Sequence, residues 1–445
     1  MGQFTEKQGV GCALAGFYTA LAIEKVLPII HGGPGCVANA QQIMGNQNGS
    51  QQGVGFSEGM LPSTNLTDTD IVFGGGKKLD ELIDNTVQYF DADLYIAIGG
   101  CVAAIIGDDM EEITGKYRKT GKPVLFTEAP GFKGNNIWGH TQILKSIIEQ
   151  YLPDKREKVN KGQVNVWGIV PYYDPFWAGT CDAVEELLKD IGLKPNIIYG
   201  KGRGIKNIDT IPEAEFNLVL SPWWDVEIAE LLTERYGTPF LHYPSLPIGP
   251  TETKRFLKVL EEYANLDPEV VSDYIRKKED RYYFYIEKGI AHLYDARKLP
   301  KRFYTMANST YALGIAKYFI NDLGLVPEKQ FITDGVPQKY QKQIAEEYKS
   351  FDGGIESDVT FTLDVGSAMI EIGNDEGKYH NATVIVGSSW NDVPAKKLGA
   401  YNLHVSAPIG DRVILDRSYF GFDGGLHLFE DLYDKVAGMF GIEMA

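Results

Sequence analysis

Two hydrophobic periods alternate along the chain. Short apolar runs, among them DLYIAIGG, VNVWGIVPYY, FNLVLS and TVIVGSS, have the length and β-branched content of buried strands. Between them, KKLDELIDNTVQYF, WGHTQILKSIIEQYL and VEIAELLTERYG place apolar residues three or four apart, the spacing of amphipathic helices. At the start, ALAGFYTALAIEKV predicts one helix closed by Leu27 and Pro28, followed by a short strand, PII, and the break HGGPG. A second helix begins at Cys36. Residues 45–70 are polar and rich in Gly, Asn and Gln, which predicts a long loop of the kind that tends to be functional. IVFGGG then reads as a strand ending in glycines, and Cys101 follows the strand DLYIAIGG and opens the next helix.

This strand–helix alternation recurs in three blocks and predicts several α/β domains built on parallel sheets. Boundaries are expected near 1–155, 156–295 and 296–445. The charged stretch PDKREKVNKGQ would link the first two, and the helical run from TETKRFL to HLYDARK would cross to the third. Sites in such sheets belong in the loops at the carboxyl ends of the strands. At 445 residues the chain is too long for one core, which agrees with this division.

Composition removes several functions. A formal net charge of −17 argues against nucleic-acid binding, which needs a basic face. No apolar run approaches the ~18 residues of a membrane span. The opening MGQFTEKQG carries no basic-then-apolar signal, so a cytoplasmic protein with reduced thiols is expected.

Of four cysteines, Cys12, Cys36 and Cys101 fall in the first 101 residues, each beside glycine: GVGCALAG, HGGPGCVAN and IAIGGCVAAIIGDD. Thiolates suit zinc or iron–sulfur clusters, and glycine lets backbone approach an inorganic cluster. No CxxC pair is present, so a structural zinc site is not indicated. Three separated cysteines are either an incomplete ligand set, completed by another chain, or three small buried core thiols. GKGRG at 200–204 lacks the ending of a phosphate loop and reads as a turn. Cys181, inside AGTCDAVEELL, reads as helix packing. His31 is either a neighbour of the cysteine loops or a packed histidine, and Asp108 and Asp109 suit the start of a helix.

The segments HGGPGCVAN, VFGGGKKL and GGCVAAIIGDD resemble the P-cluster region of nitrogenase component 1, in particular its β-type subunit. FNLVLSPWWDVEIAELL and APIGDRVILDRSYFGFDGGLHLF extend the resemblance to nearly the whole chain. It implies three Rossmann-like domains and gives Cys12, Cys36 and Cys101 the role of holding half of an iron–sulfur cluster (8Fe–7S or 4Fe–4S) at an αβ interface. It also implies an α-type partner carrying the substrate-reducing metallocofactor, an α2β2 heterotetramer, and transient docking of an ATP-dependent iron protein over Phe73. No cofactor is assigned to this chain on Cys181 or His427.

Three departures accompany the match. Ala13-Leu14 follows Cys12 where the family has Gln-Pro, Gly131 stands where a β-chain serine can ligate, and only eleven residues precede Cys12. They favour a nitrogenase-like reductase, methylthio-alkane reductase foremost, over a nitrogenase β subunit reducing dinitrogen. A cofactor-assembly scaffold of the same fold, and a metal-free α/β binding protein, are the competing classes.

Overall fold

A computed structural model of the chain describes residues 10–45, 48–51, 61–295, 300–376 and 383–443. Its strands in chain order are β1 Ile23–Glu24, β2 Val26–His31, β3 Leu94–Gly99, β4 Val124–Glu128, β5 Asn160–Trp167, β6 Lys194–Asn196 and β7 Gly200–Gly204. They continue with β8 Ala214–Leu220, β9 Phe240–Tyr243, β10 Arg302–Ala307, β11 Val326–Ile332, β12 Val359–Phe361, β13 Thr383–Gly387 and β14 Tyr401–His404. Three parallel sheets result, ordered β2-β3-β4, β6-β5-β8-β9 and β12-β11-β10-β13-β14. Helices connect the strands, and β3 is buried along its whole length, as expected of a strand covered on both faces. This is the expected α/β architecture of parallel sheets flanked by helices.

The first sheet sets up the cysteine region through its register. His31 pairs with Gly99 and Gly99 with Glu128, so β2, β3 and β4 end in one row. The segments carrying Cys36, Cys101 and Gly131 all leave that edge. Cys12 is the exception to the expected strand-end placement. It arrives from the opposite direction and forms an antiparallel bridge with Asn135, while Asn136 and Gly11 bond to each other through Nδ-bearing side chain and backbone (Gly11 N–H to Asn136 Oδ1, 2.8 Å; Asn136 N–H to Gly11 O, 3.1 Å).

Three local expectations are corrected. The single helix over 13–26 is instead a 3₁₀ turn, Ala13–Gly16, and a short helix, Phe17–Leu21; Ile23 onward is strand. Pro28 is accommodated because β2 is an outer strand, where a missing N–H costs little. IVFGGG is not a strand: Asp68–Phe73 is a helix, started by Asp70, whose carboxylate accepts from Thr67 N–H (2.7 Å) and Oγ1–H (2.8 Å). GKGRG is not a turn but β7, paired in parallel with β1. That small sheet ties the first and second large sheets together.

The 3₁₀ turn lies directly on helix Asn136–Gln150. A Cβ on Gly139 would stand 1.9 Å from the Ala13 carbonyl oxygen, and one on Gly16 would stand 2.4 Å from the Gly139 carbonyl carbon. Only glycine permits backbone to pass backbone this closely. SPWWD at 221–225 forms a second junction. Trp223 and Trp224 donate their indole N–H groups to Asp334 beyond β11 (3.0 and 3.1 Å). Asp225 accepts from His140 Nε2 (2.9 Å) and Gly168 N–H (2.8 Å), and the other ring nitrogen of His140 lies 2.7 Å from the Thr19 hydroxyl. One pentapeptide of the second sheet thus grips both of the others.

Gly139→Ala is expected to destabilise the chain by at least ~2 kcal/mol through overpacking against fixed backbone. Gly115→Ala, in helix Met110–Lys119 with only the tip of Arg118 near its added methyl, is expected to be neutral or stabilising by up to ~1 kcal/mol. Denaturant unfolding of both variants checks the pair, and equal effects would refute the crossing.

Candidate functional site: a cysteine cradle beside an apolar ridge

Cys101 is the first residue of helix Cys101–Ile106, and Gly100 N–H bonds to the His31 carbonyl (2.9 Å), which fixes the helix start against β2. Cys36 lies in the first turn of helix Pro34–Gly45, its N–H on the Gly33 carbonyl (3.2 Å). Cys12 caps the 3₁₀ turn held down by the Gly16–Gly139 crossing.

The loop after β4 closes the cradle. Gly131 N–H donates to Cys101 Sγ at 3.1 Å. A Cβ on Gly131 would meet Cys12 Sγ at 2.7 Å and Cys101 Sγ at 3.7 Å. Two thiols therefore converge on a point that only a glycine leaves free. Cys12 and Cys36 are exposed and Cys101 is half-exposed, so the group opens outward rather than into a core. Partial burial pushes the Cys12 thiol up, as does negative charge at Cys101 and Cys36, while the Leu14 N–H works against both. Metal ions bind the thiolate, so a cation held at these sulfurs would favour loss of the Cys12 proton. Soft donors, an inward N–H and a cradle with no side chain in it fit an iron–sulfur cluster.

A ridge adjoins the cradle. Phe73 is 83% exposed, Val72 72% and Ile105 72%. Helix Asp68–Phe73 packs on helix Cys101–Ile106, so the ridge stands beside the helix that Cys101 begins. The IGDD motif fastens them. Asp108 accepts from Gly75 N–H with both carboxylate oxygens (3.0 and 3.1 Å) and from His31 Nε2 (2.8 Å), while His31 Nδ1 lies 3.2 Å from the Thr64 hydroxyl. A Cβ on Gly75 would come within 2.8 Å of that carboxylate, so the glycine run after Phe73 exists for this approach. His31 is accordingly a buried partner of Asp108 and not one of the surface donors. Asp109 caps helix Met110–Lys119 through Glu112 N–H (2.9 Å).

Cys181 and His427 lie apart from the cradle. Cys181 is buried inside helix Trp177–Asp190, and that burial drives its thiol far up. His427, on helix Gly421–Glu443, contacts the Ser418 carbonyl through Nδ1 (3.0 Å) and lines a groove of about 390 Å³ with Asp182, Lys278 and Asp423. The His31–Asp108–Gly75 link and the SPWWD junction were not anticipated from sequence. The only available signal for the first was the joint presence of GGG and IGDD.

Residues 12–437 match the family described as nitrogenase component 1 type oxidoreductases, and the chain belongs to that family. Among its relatives, the molybdenum–iron protein β chain of Bradyrhizobium diazoefficiens is 21% identical over 95% of this chain and 82% of its own length. The molybdenum–iron protein α chain of Alcaligenes faecalis is 28% identical over 57% of this chain, which spans about half (52%) of that relative. The cofactor biosynthesis protein NifE of Rippkaea orientalis is 25% identical over 57% of this chain and 52% of its own length. The near-full-length alignments are to β chains, in keeping with the β-type resemblance. In fold, the chain superposes on the structure described as nitrogenase Cp1 at pH 6.5 with a TM-score of 0.80, over 99% of this chain and 94% of that one, at 18% identity. No helix among the described residues is long and apolar enough to cross a membrane.

Burial holds the His31 ring below its usual value near 6.5, against the upward pull of Asp108. The unfolded chain therefore takes up this proton at higher pH than the folded one. Stability from the neutral ring is present above about pH 6.5 and is lost as pH falls through the depressed folded value. The thermal midpoint of the wild type minus that of His31→Gln is expected to shrink steadily from about pH 7.5 to about pH 5. A difference that stays constant would show that the ring is not linked to folding.

Proposed function

We propose that this chain is the β-type, electron-relaying subunit of a nitrogenase-like component 1 reductase. The observation that carries the proposal is the convergence of Cys12 and Cys101 on Gly131 in a cradle that opens outward beside the Phe73 ridge. Cys12, Cys36 and Cys101 would be its ligands to an iron–sulfur cluster, 8Fe–7S or 4Fe–4S. Their exposure supports a half-site completed by an α-type subunit, in an α2β2 assembly. When bound, such a cluster supplies one-electron storage and transfer. The chain's own part is to present three thiolates, to direct the Gly131 N–H at one sulfur, and to keep the glycine cradle clear. Hydrogen bonds to the sulfurs tune the reduction potential, so Gly131 N–H both positions and poises.

Phe73, Val72 and Ile105 would form the docking face for the ATP-dependent iron protein. An apolar patch of this exposure on a soluble chain marks an interaction site, and the Asp108 clamp would hold it at fixed distance from Cys101. The three sheets would define units at 1–155, 156–295 and 296–445. The metallocofactor is placed in the α-type partner, and the protein in the cytoplasm. Among substrates, methylthio-alkanes are favoured over dinitrogen, because Ala13-Leu14 replaces the family's Gln-Pro and Gly131 removes the serine oxygen that could ligate. The partial likeness to NifE supports an assembly scaffold as the second reading.

Anaerobic co-purification with the α-type chain should give iron and acid-labile sulfide, both lost in Cys101→Ala; their absence from the wild type would overturn the ligand assignment. Phe73→Ala should retain full iron content while slowing iron-protein-dependent substrate reduction at least ~10-fold, as expected for an interface anchor worth about 1.4 kcal/mol or more. Sustained turnover on a methylthio-alkane, rather than transfer of a finished cofactor, separates the reductase from the scaffold.

A further inference from the structure

At the carboxyl edge of the third sheet, three side chains that play no part in the cysteine site come together. His404 ends β14, Asp392 follows the 3₁₀ turn Ser389–Asn391 after β13, and Asp411 lies in the loop beyond β14. One ligand atom from each lies within 4.8 Å of the others. The His404 side chain is only 1% exposed, whereas both carboxylates reach solvent.

The two ring nitrogens are used differently. Nε2 lies 2.7 Å from Asp392 Oδ1, which also accepts from Asn402 Nδ2 at 2.7 Å. That contact occupies Nε2 and turns Nδ1 towards Asp411. Nδ1 makes no hydrogen bond among the described residues, although Asp411 Oδ1 is 3.1 Å away. A buried imidazole nitrogen beside a carboxylate, without a hydrogen bond between them, is an unsatisfied polar atom that needs a partner. Its distance from the oxygen suits two ligands of one ion. Metal–nitrogen and metal–oxygen bonds of roughly 2.0–2.2 Å place their donor atoms roughly 2.9 Å apart at a right angle and 3.4 Å apart at the tetrahedral angle.

We propose that His404 Nδ1 and Asp411 bind a divalent transition-metal cation, with Asp392 as the carboxylate that orients the ring. Imidazole plus carboxylate selects zinc, manganese or ferrous iron over calcium and magnesium, and the carboxylate–histidine–metal arrangement is the usual support for such a ligand. Ser389 Oγ, which donates to Asp411 Oδ1 at 2.6 Å and accepts from Gly410 N–H, is placed as a third donor and the second oxygen, with water completing the shell. Asp411 adjoins Arg412, which pairs with Asp431 on the terminal helix at 2.6 Å. The ion would therefore tie the ends of β13 and β14 together beside the terminal helix.

Zinc is the probe. The intact anaerobic assembly is equilibrated with buffered micromolar Zn²⁺, its zinc is counted, and the first coordination shell is read by X-ray absorption. One equivalent per chain in an all nitrogen/oxygen shell is expected. That equivalent should be lost in Asp411→Asn and His404→Gln, and weakened about 10- to 100-fold in Asp392→Asn, the orienting position. Iron and sulfide content should be unchanged in all three variants, which separates this site from the cysteine cradle. Zinc found only in a sulfur shell, or equal zinc in wild type and Asp411→Asn, would overturn the proposal. Should the His404 variant fail to fold, the two exposed carboxylate variants and the wild-type shell decide it.

Discussion

The contact on which the cysteine region depends is backbone against backbone, where the turn Ala13–Gly16 crosses helix Asn136–Gln150 at Gly139. That crossing sets the height at which Cys12 meets the loop after β4. The other two cysteines inherit their positions from hydrogen-bonded strand register, which is stiff and well specified. Cys12 has no strand beneath it. It is placed by the absence of two side chains, together with the Gly11–Asn136 bonds and the bridge to Asn135. A site assembled from one sheet edge and one incoming segment needs such a stop, since an ångström of slack would separate the converging sulfurs.

The remainder of the molecule extends that logic outward. The Asp108 carboxylate joins the glycine run after Phe73 to the buried His31, and His31 ends the same strand whose carbonyl holds Gly100 before Cys101. Surface ridge, histidine and the helix that starts at Cys101 are thus linked through side-chain and backbone hydrogen bonds. Further in, SPWWD turns its indoles to one neighbouring sheet and its carboxylate to the other, so the sheets bearing the ridge and the His404 group share a common centre.

Much of this was legible in the sequence, and what was missed has physical causes. The three cysteines, their glycines and the parallel α/β class follow from composition and period, and the family resemblance assigned Gly131 a place near the ligands. The helix at Asp68–Phe73 was hidden because Ile71, Val72 and Phe73 favour strands by type, and only the Thr67–Asp70 cap, a local polar bond, reverses that preference. GKGRG looked like a turn because its partner, Ile23–Glu24, lies far back in the chain, and pairing across such a separation leaves no periodic mark. The helix expected over 13–26 stops at Leu21 because Ile23–Glu24 pairs with β7, and Val26 begins the pairing with β3, so strand contacts outweigh the helical spacing of the side chains. His404, Asp392 and Asp411 are separated in sequence and carry no spacing signal, so their meeting could only be seen in three dimensions.

The openness of the cradle bears on the life history of the chain. Two thiols meet at one glycine within reach of solvent, and the raised Cys12 thiol keeps its proton, which slows oxidation because the thiolate is the reactive form. Folding of the sheets needs no sulfur chemistry. The chain can therefore reach its final shape with that thiol still reduced, and whatever later meets the two sulfurs does so at a surface already set.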